Sequence, residues 1–432
     1  MPYLPGYARH CTFYNKEIVF LMFSVMESGA LMTGVRRLKE KLLPTLIILM
    51  LTPFVLRFCI PLMDESEITA IDRNADFISA QYEECEPIVI ESSTDFESYG
   101  FPGNGTNSNP YIIEGVNISS LTSCISISNV NDIFVIRDCF LKSNRTPNYV
   151  IQLLNVVNST IEENVIIGGS QGIRCLQSIS LRLIRNTICD SGSGLVFINS
   201  LKATATGNSI YGHATGVELV YTSQCVFSAN RIYANTQHGL TVDAGSEFNS
   251  FTFNLIGWNG LGASYSRNAV DGGGNNNWFT NSWSDYTPPG PYNISGDSNS
   301  QDLDPIELID SEGPWINAPE DIVMGEGSPV IVSWNPRDIF PFQYTLLLNG
   351  MITSAGVWID EEISFDLQYL EPGDYNIILA VADGSGNTTE DIVFASVLYI
   401  ILGDIGTELV AYASILSVVI LIMILCIVKK RP

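Results

Sequence analysis

The chain has 432 residues and a formal net charge of −25, from 46 acidic and 21 basic residues. That length allows two or three domains with a sizeable core, and the charge argues against a nucleic-acid-binding protein, which needs a basic face. The charge is unevenly placed: residues 64–97 hold 11 acidic residues against one basic, residues 98–291 hold 11 against nine, and residues 297–408 hold 21 against Arg337 alone.

At the start, Arg36, Arg37, Lys39 and Lys41 precede the apolar run Leu42 to Leu56, the layout of a secretory signal. No small-x-small cleavage site is clear, and Arg57 interrupts the run. Residues 1–63 therefore read as an N-terminal extension with a signal peptide or an uncleaved signal anchor, Met32 being an alternative start. Residues 64–97 read as an acidic linker, and Asp64 to Glu408 is expected outside the cell. Six Asn-x-Ser/Thr sequons, at Asn104, Asn117, Asn144, Asn158, Asn293 and Asn387, fall in that segment and agree with export. Six of the nine cysteines also fall there, too sparse for a disulfide framework.

Residues 98–296 carry an internal repeat. Asn164, Asn186, Asn208 and Asn230 follow one another at intervals of 22; Asp138 precedes them by 26, and Asn254 and Asn281 follow at 24 and 27. Two residues after each stands an apolar side chain: Phe140, Ile166, Ile188, Ile210, Ile232, Ile256, Trp283. Three residues before each stands another, usually apolar: Val135, Ile161, Leu183, Ala205, Phe227, Phe251, Trp278. A third column is Ile127, Leu153, Cys175, Phe197, Leu219, Val242, and a fourth is Gly172-Ile173, Gly194-Leu195, Gly216-Val217, Gly239-Leu240. Period-two apolar spacing means strands with one buried face. One coil of such strands cannot bury its own inner face, whereas stacked coils can. Equivalent residues then lie about 4.8 Å apart, with asparagine on asparagine at the bends and glycine at tight turns. An ordinary sandwich would not hold this period in four columns at once.

The opening Tyr99-Gly-Phe-Pro-Gly-Asn-Gly-Thr with Asn109-Pro-Tyr-Ile-Ile-Glu-Gly, and the closing Asp271-Gly-Gly-Gly-Asn-Asn-Asn-Trp with Asn281-Ser-Trp-Ser-Asp-Tyr, resemble the first and last coils of secreted archaeal β-helix proteins. Those are grouped with the periplasmic copper-binding protein NosD and with carbohydrate-binding proteins and sugar hydrolases. The resemblance covers roughly residues 97–305. It implies a right-handed β-helix and leaves activity open, because the fold hosts many functions.

Residues 297–314 read as a second acidic linker. Residues 315–400 then alternate as strands at Val330-Ile-Val-Ser-Trp, Tyr344-Thr-Leu-Leu-Leu, Ile363-Ser-Phe-Asp-Leu and Tyr375-Asn-Ile-Ile-Leu-Ala-Val, with turn chemistry at Asn349-Gly350 and Pro372-Gly373. Leu370-Glu-Pro-Gly-Asp-Tyr and Val381-Ala-Asp-Gly-Ser-Gly-Asn are similar to the late strands of immunoglobulin-like and polycystic-kidney-disease-type (PKD) modules. A small sandwich serving as a stalk is expected. Leu409 to Val428 is 20 uncharged, mostly apolar residues followed by Lys429, Lys430 and Arg431: a transmembrane helix with residues 429–432 as a cytoplasmic tail.

For chemistry, the carboxylates considered are Asp190, Glu218, Asp243 and Asp271. Glu218 and Asp243, beside inward Leu219 and Val242, read as outward on neighbouring coils in one column. They are the weak candidates for an acid/base pair or a cation site, with a solvated face as the plainer reading. Copper would need clustered soft ligands, and only His213, His238 and Cys175 offer themselves, Cys175 in an inward column. Asp297, Asn299, Asp302 and Asp304 place oxygen ligands at short spacing, as calcium prefers, though a flexible acidic linker explains them as well.

The expected fold is all-β: a right-handed parallel β-helix of about seven 22-residue coils, a small β-sandwich and a C-terminal transmembrane helix. The expected function is non-catalytic binding of glycans or a surface partner from the membrane. The alternatives are a membrane-tethered polysaccharide lyase or hydrolase and a structural envelope component. No cofactor is required, calcium being the one candidate.

Overall fold

The computed structural model describes residues 82–144, 148–260, 267–359 and 361–399. The apolar runs 42–56 and 409–428 and the tail 429–432 lie outside these residues. Among the described residues, no helix is long and apolar enough to cross a membrane.

The repeat folds as a parallel β-helix in which each coil adds a strand to three sheets. Sheet I has eight strands, from Ile88–Ile90 to Ala269–Asp271. Sheet II has ten, from Tyr111–Glu114 through Asn277–Phe279 to Gln301–Asp302 and Tyr292–Asn293. Sheet III has ten, from Glu83–Glu84 to Ile306–Glu307.

Sheet I thus counts eight coils where seven are expected. The extra rung comes from within the expected linker 64–97, whose Ile88 and Ile90 point inward, fully buried, between acidic neighbours. Likewise the expected linker 297–314 supplies Gln301–Asp302 and Ile306–Glu307 to sheets II and III. Exposed Glu86 and Glu91 flank the first of these rungs, while in the later one the acid Asp302 is itself buried, and in both the charge hides the pairing.

The third apolar column stacks as read: Ile127, Leu153, Cys175, Phe197, Leu219 and Val242 are in parallel register and at most 3% exposed. Each such Ile, Leu or Phe contributes roughly 1.5–3 kcal/mol by leaving water. Two assignments at the first coil are one residue off. Ile136 pairs with Ile161, and Leu141 with Ile166, so Val135 and Phe140 are not the inward members. Cys139, not Asp138, stands beneath Asn164, its backbone N–H donating to Asn164 Oδ1 at 3.1 Å.

The bends explain the asparagines. Before each lies a left-handed residue, Glu163 (φ 57), Arg185 (φ 52), Ala229 (φ 54) and Phe253 (φ 57) among them, which turns the chain between sheets. Asn186 Nδ2 donates to Asn208 Oδ1 at 3.0 Å and to Ile161 O at 2.9 Å, and Asn208 repeats this with Asn230. These amides are buried, so each must be paired. The glycine column has a different cause from the turn expected: a Cβ on Gly194 would lie 2.6 Å from Gly216 O, and one on Gly216 2.5 Å from Gly239 O. Close stacking of coils, not a left-handed turn, demands glycine there.

The ends are closed by aromatics. Phe96, on the short helix Ser93–Ser98, is buried against Tyr111 with ring centroids 4.4 Å apart. At the other end Phe251, Trp278, Trp283 and Tyr292 continue the stack.

Beyond the coils, five strands order as Ile322–Gly325, Thr388–Leu398, Gly373–Asp383, Pro341–Leu348 and Met351–Val357, and Ile331–Trp334 pairs with Ile363–Asp366 in a second sheet. Both sheets close on one core containing Trp334, Leu346, Trp358, Leu379 and Val393. Asn349 (φ 51) and Gly350 (φ 82) form the expected turn. This region is not a free stalk. It lies against sheet III, where Cys189, Tyr211, Tyr233 and Phe340 form a buried cluster. Tyr211 Oη donates to Trp358 O at 3.1 Å and Tyr233 Oη to Pro341 O at 2.8 Å. The tyrosines were not recognisable as interface residues, because Ile-Tyr on a strand reads the same on either side of a sheet.

Candidate functional site

Sheet I presents two outward columns at coil spacing. One runs Gln152, Arg174, Val196, Glu218, Thr241; the other runs Tyr149, Gln171, Ser193, Thr215, His238, and both are interrupted, at Val196 and at Thr215, which are buried. Arg174 lies 4.7 Å over the Tyr149 ring, a cation–π contact that holds the guanidinium on the surface. Ser193 Oγ donates to Glu218 Oε1 at 2.6 Å. His238 is held below the usual histidine range, by burial first and by Arg267 second, with Glu218 opposing.

The structure separates Glu218 and Asp243. Glu218 is opposite Thr241, while Asp243 follows Val242, the partner of Leu219. One carboxylate precedes the inward residue and the other follows it, so they do not share a column. Asp243 Oδ1 accepts from Ser246 Oγ at 2.6 Å and from Tyr221 N at 3.0 Å, which commits it to the bend. Asp190 sits on a left-handed turn residue (φ 57). Asp271 is fully buried and accepts from Gly273 N, Asn276 Nδ2, Trp278 Nε1 and Ser300 Oγ, all within 2.9 Å. It fastens the closing motif and faces no groove.

The calcium candidates do not converge either. Asp302 is fully buried: Oδ2 accepts from Asn281 N, Asn281 Nδ2 and Trp283 Nε1, and Oδ1 from Thr280 N and Asp304 N. It is the last rung of the asparagine ladder. Asp297, Asn299 and Asp304 are exposed, and Asp304 accepts from Thr280 Oγ1 at 3.2 Å. Among the described residues, acidic ligand atoms come together elsewhere: Asp310, Asp338 and Asp383 place one oxygen each within 4.8 Å of one another. Asp383 Oδ1 already accepts four donors, from Ser385, Gly386 and Asn387. Burial and the neighbouring carboxylates push Asp338 up to about 6. Sequence reasoning missed this group because its members are 28 and 45 positions apart in different segments.

Two of the copper candidates, Cys175 and His213, are structural. Cys175 is buried among apolar neighbours and its thiol is pushed above its ordinary range. His213 belongs to a second ladder: Ser191 N donates to His213 Nδ1, His213 N to Asn235 Oδ1, and Asn235 Nδ2 to Asn259 Oδ1. Burial lowers His213 to about 4. Its neutral form therefore stabilises the fold fully above about pH 6.5, and that contribution is lost as pH falls through 4. The loss amounts to about 3 kcal/mol at 1.36 kcal/mol per unit. His213→Asn, which matches the next rungs, is expected to flatten the stability–pH curve between pH 6.5 and 4 in denaturant titrations. An unchanged slope would refute this.

A family model described as right-handed β-helix region matches residues 123–284; the segment is a right-handed β-helix repeat. Among solved structures, an alginate lyase from a Paenibacillus species is similar over 52% of this chain and 98% of its own, at 12% identity and TM-score 0.36. PfbA, a surface adhesin of Streptococcus pneumoniae, is similar over 56% of this chain and 78% of its own, at 14% identity and TM-score 0.29. The fibronectin(III)-like modules of Clostridium thermocellum CbhA are similar over 19% of this chain and 94% of theirs, at 15% identity and TM-score 0.16. At these values no functional argument rests on the likeness. No curated protein matches the sequence.

Proposed function

We propose that this is a cell-surface β-helix, anchored through residues 409–428, that binds glycans or a surface partner without turning them over. One observation carries the reading: sheet I carries outward hydrogen-bonding side chains at coil spacing, interrupted at the buried Val196 and Thr215, while its carboxylate Glu218 faces Thr241 rather than a second acid. Such a face matches a polymer whose hydroxyl groups also repeat. A hydrolytic or lyase site would instead need charged groups converging with sub-ångström support. The apolar run followed by Lys429, Lys430 and Arg431 supports the anchor, and the NosD-like and PKD-like sequence resemblances accord with secretion. Intact cells carrying the protein should bind labelled glycans, and protease added outside should abolish that binding. Binding that appears only after lysis would refute the topology, and no binding to any glycan would refute the ligand class.

A further inference from the structure

The β-helix stretch 98–291 is nearly neutral, with nine cations, and most of the described ones are occupied. Arg137 pairs with Glu114 and Arg185 with Glu163. Arg231 donates to Ile339 O and Ser209 Oγ, and Arg174 lies over Tyr149. Lys142 and Arg267 each have an interaction. Arg182 and Lys202 differ: both are exposed, and among the described residues neither has an ion pair or side-chain hydrogen bond.

These two cations line the same groove, of about 580 Å³, at the entry to sheet II. Its lining follows the repeat. Val157, Ile179 and Leu201 are bridged coil to coil, which stacks Asn158, Ser180 and Lys202 in the next position. All three are left-handed, at φ 53, 58 and 56. Two residues on, Arg182 pairs with Thr204. The groove therefore crosses successive coils and offers two cations on neighbouring rungs, set among the amide of Asn158 and the hydroxyls of Ser180 and Thr204. Cations left unpaired beside hydroxyl and amide groups fit a ligand that carries anionic substituents on a hydroxyl-rich chain.

We propose that this groove is a binding site for an acidic polysaccharide, with Arg182 and Lys202 contacting carboxylate or sulfate groups on neighbouring sugar units. The inference rests on the glycan-binding reading and adds a ligand class and a second face, separate from sheet I. Arginine suits the role through its bidentate geometry toward such anions.

The test uses the full-length protein made without N-glycosylation, since a glycan on Asn158 would fill the groove. The probes are a polyuronate, a sulfated glycan, a neutral glucan and single-stranded DNA, with affinities measured at two salt concentrations. At least one acidic glycan should bind at least tenfold tighter than the neutral glucan and weaken with salt; which of the two binds tells carboxylate from sulfate. Arg182→Ala with Lys202→Ala should remove that preference, while Arg137→Ala, whose cation pairs with Glu114 outside the groove, retains it and melting stays unchanged. Equal binding of acidic and neutral glycans, untouched by the double variant, would overturn the groove while leaving glycan binding intact. No glycan binding at all would sink the broader reading. DNA bound as tightly as the acidic glycan, with the same loss in the double variant, would show a general anion patch and overturn the assignment to polysaccharide.

Discussion

Leu219→Asp is expected to destabilise the protein by roughly 4 kcal/mol or more, enough to prevent cooperative folding. Leu219 is 1% exposed, stacked between Phe197 and Val242. A carboxylate there would have apolar neighbours above and below and no donor in its column. Glu218→Ala, one residue away but outward, should change stability by about 0.5 kcal/mol or less, and only the bond from Ser193 is lost. The comparison is sharp because a one-residue slip of register exchanges the two faces. Chemical denaturation of both variants checks it: if they unfold alike, the assigned register is wrong.

Asp302→Ala should cost about 3 kcal/mol or more, with or without calcium. Its two oxygens receive five donors from four residues, all at the closing end of the ladder. Deleting them strands buried N–H groups, and each unpaired buried donor costs on the order of 1–3 kcal/mol. A calcium ligand would behave differently, because chelation alone would then destabilise the parent protein and leave the variant unaffected. Melting curves in calcium and in chelator, for parent and variant, separate the two roles.

The difference between Leu219 and Asp302 shows what the sequence made legible. Leu219 was readable because period-two alternation and the 22-residue repeat agree on its direction. The asparagine ladder was readable while the residue type stayed constant. It became invisible where Cys139 begins it and Asp302 ends it, since the geometry is conserved along the column and the chemistry is not. The second ladder hid for the same reason, its rungs being Ser191, His213, Asn235 and Asn259. Val135 and Phe140 each stand one residue from the inward position because their spacing is set from Asp138, the acidic neighbour of the true rung Cys139. Glu218 and Asp243 looked paired because each adjoins an inward residue, and adjacency does not say on which side. The docking of Tyr211 and Tyr233, and the meeting of Asp310, Asp338 and Asp383, depend on how separate segments pack, which no local pattern encodes.

Product analysis on glycans that the full-length protein binds separates binding from turnover. Chain length, reducing ends, unsaturated ends and sugar configuration should all be unchanged after prolonged incubation. Shortened or epimerised chains that disappear in the Glu218→Gln, Asp243→Asn double variant would refute binding without turnover and establish an enzyme.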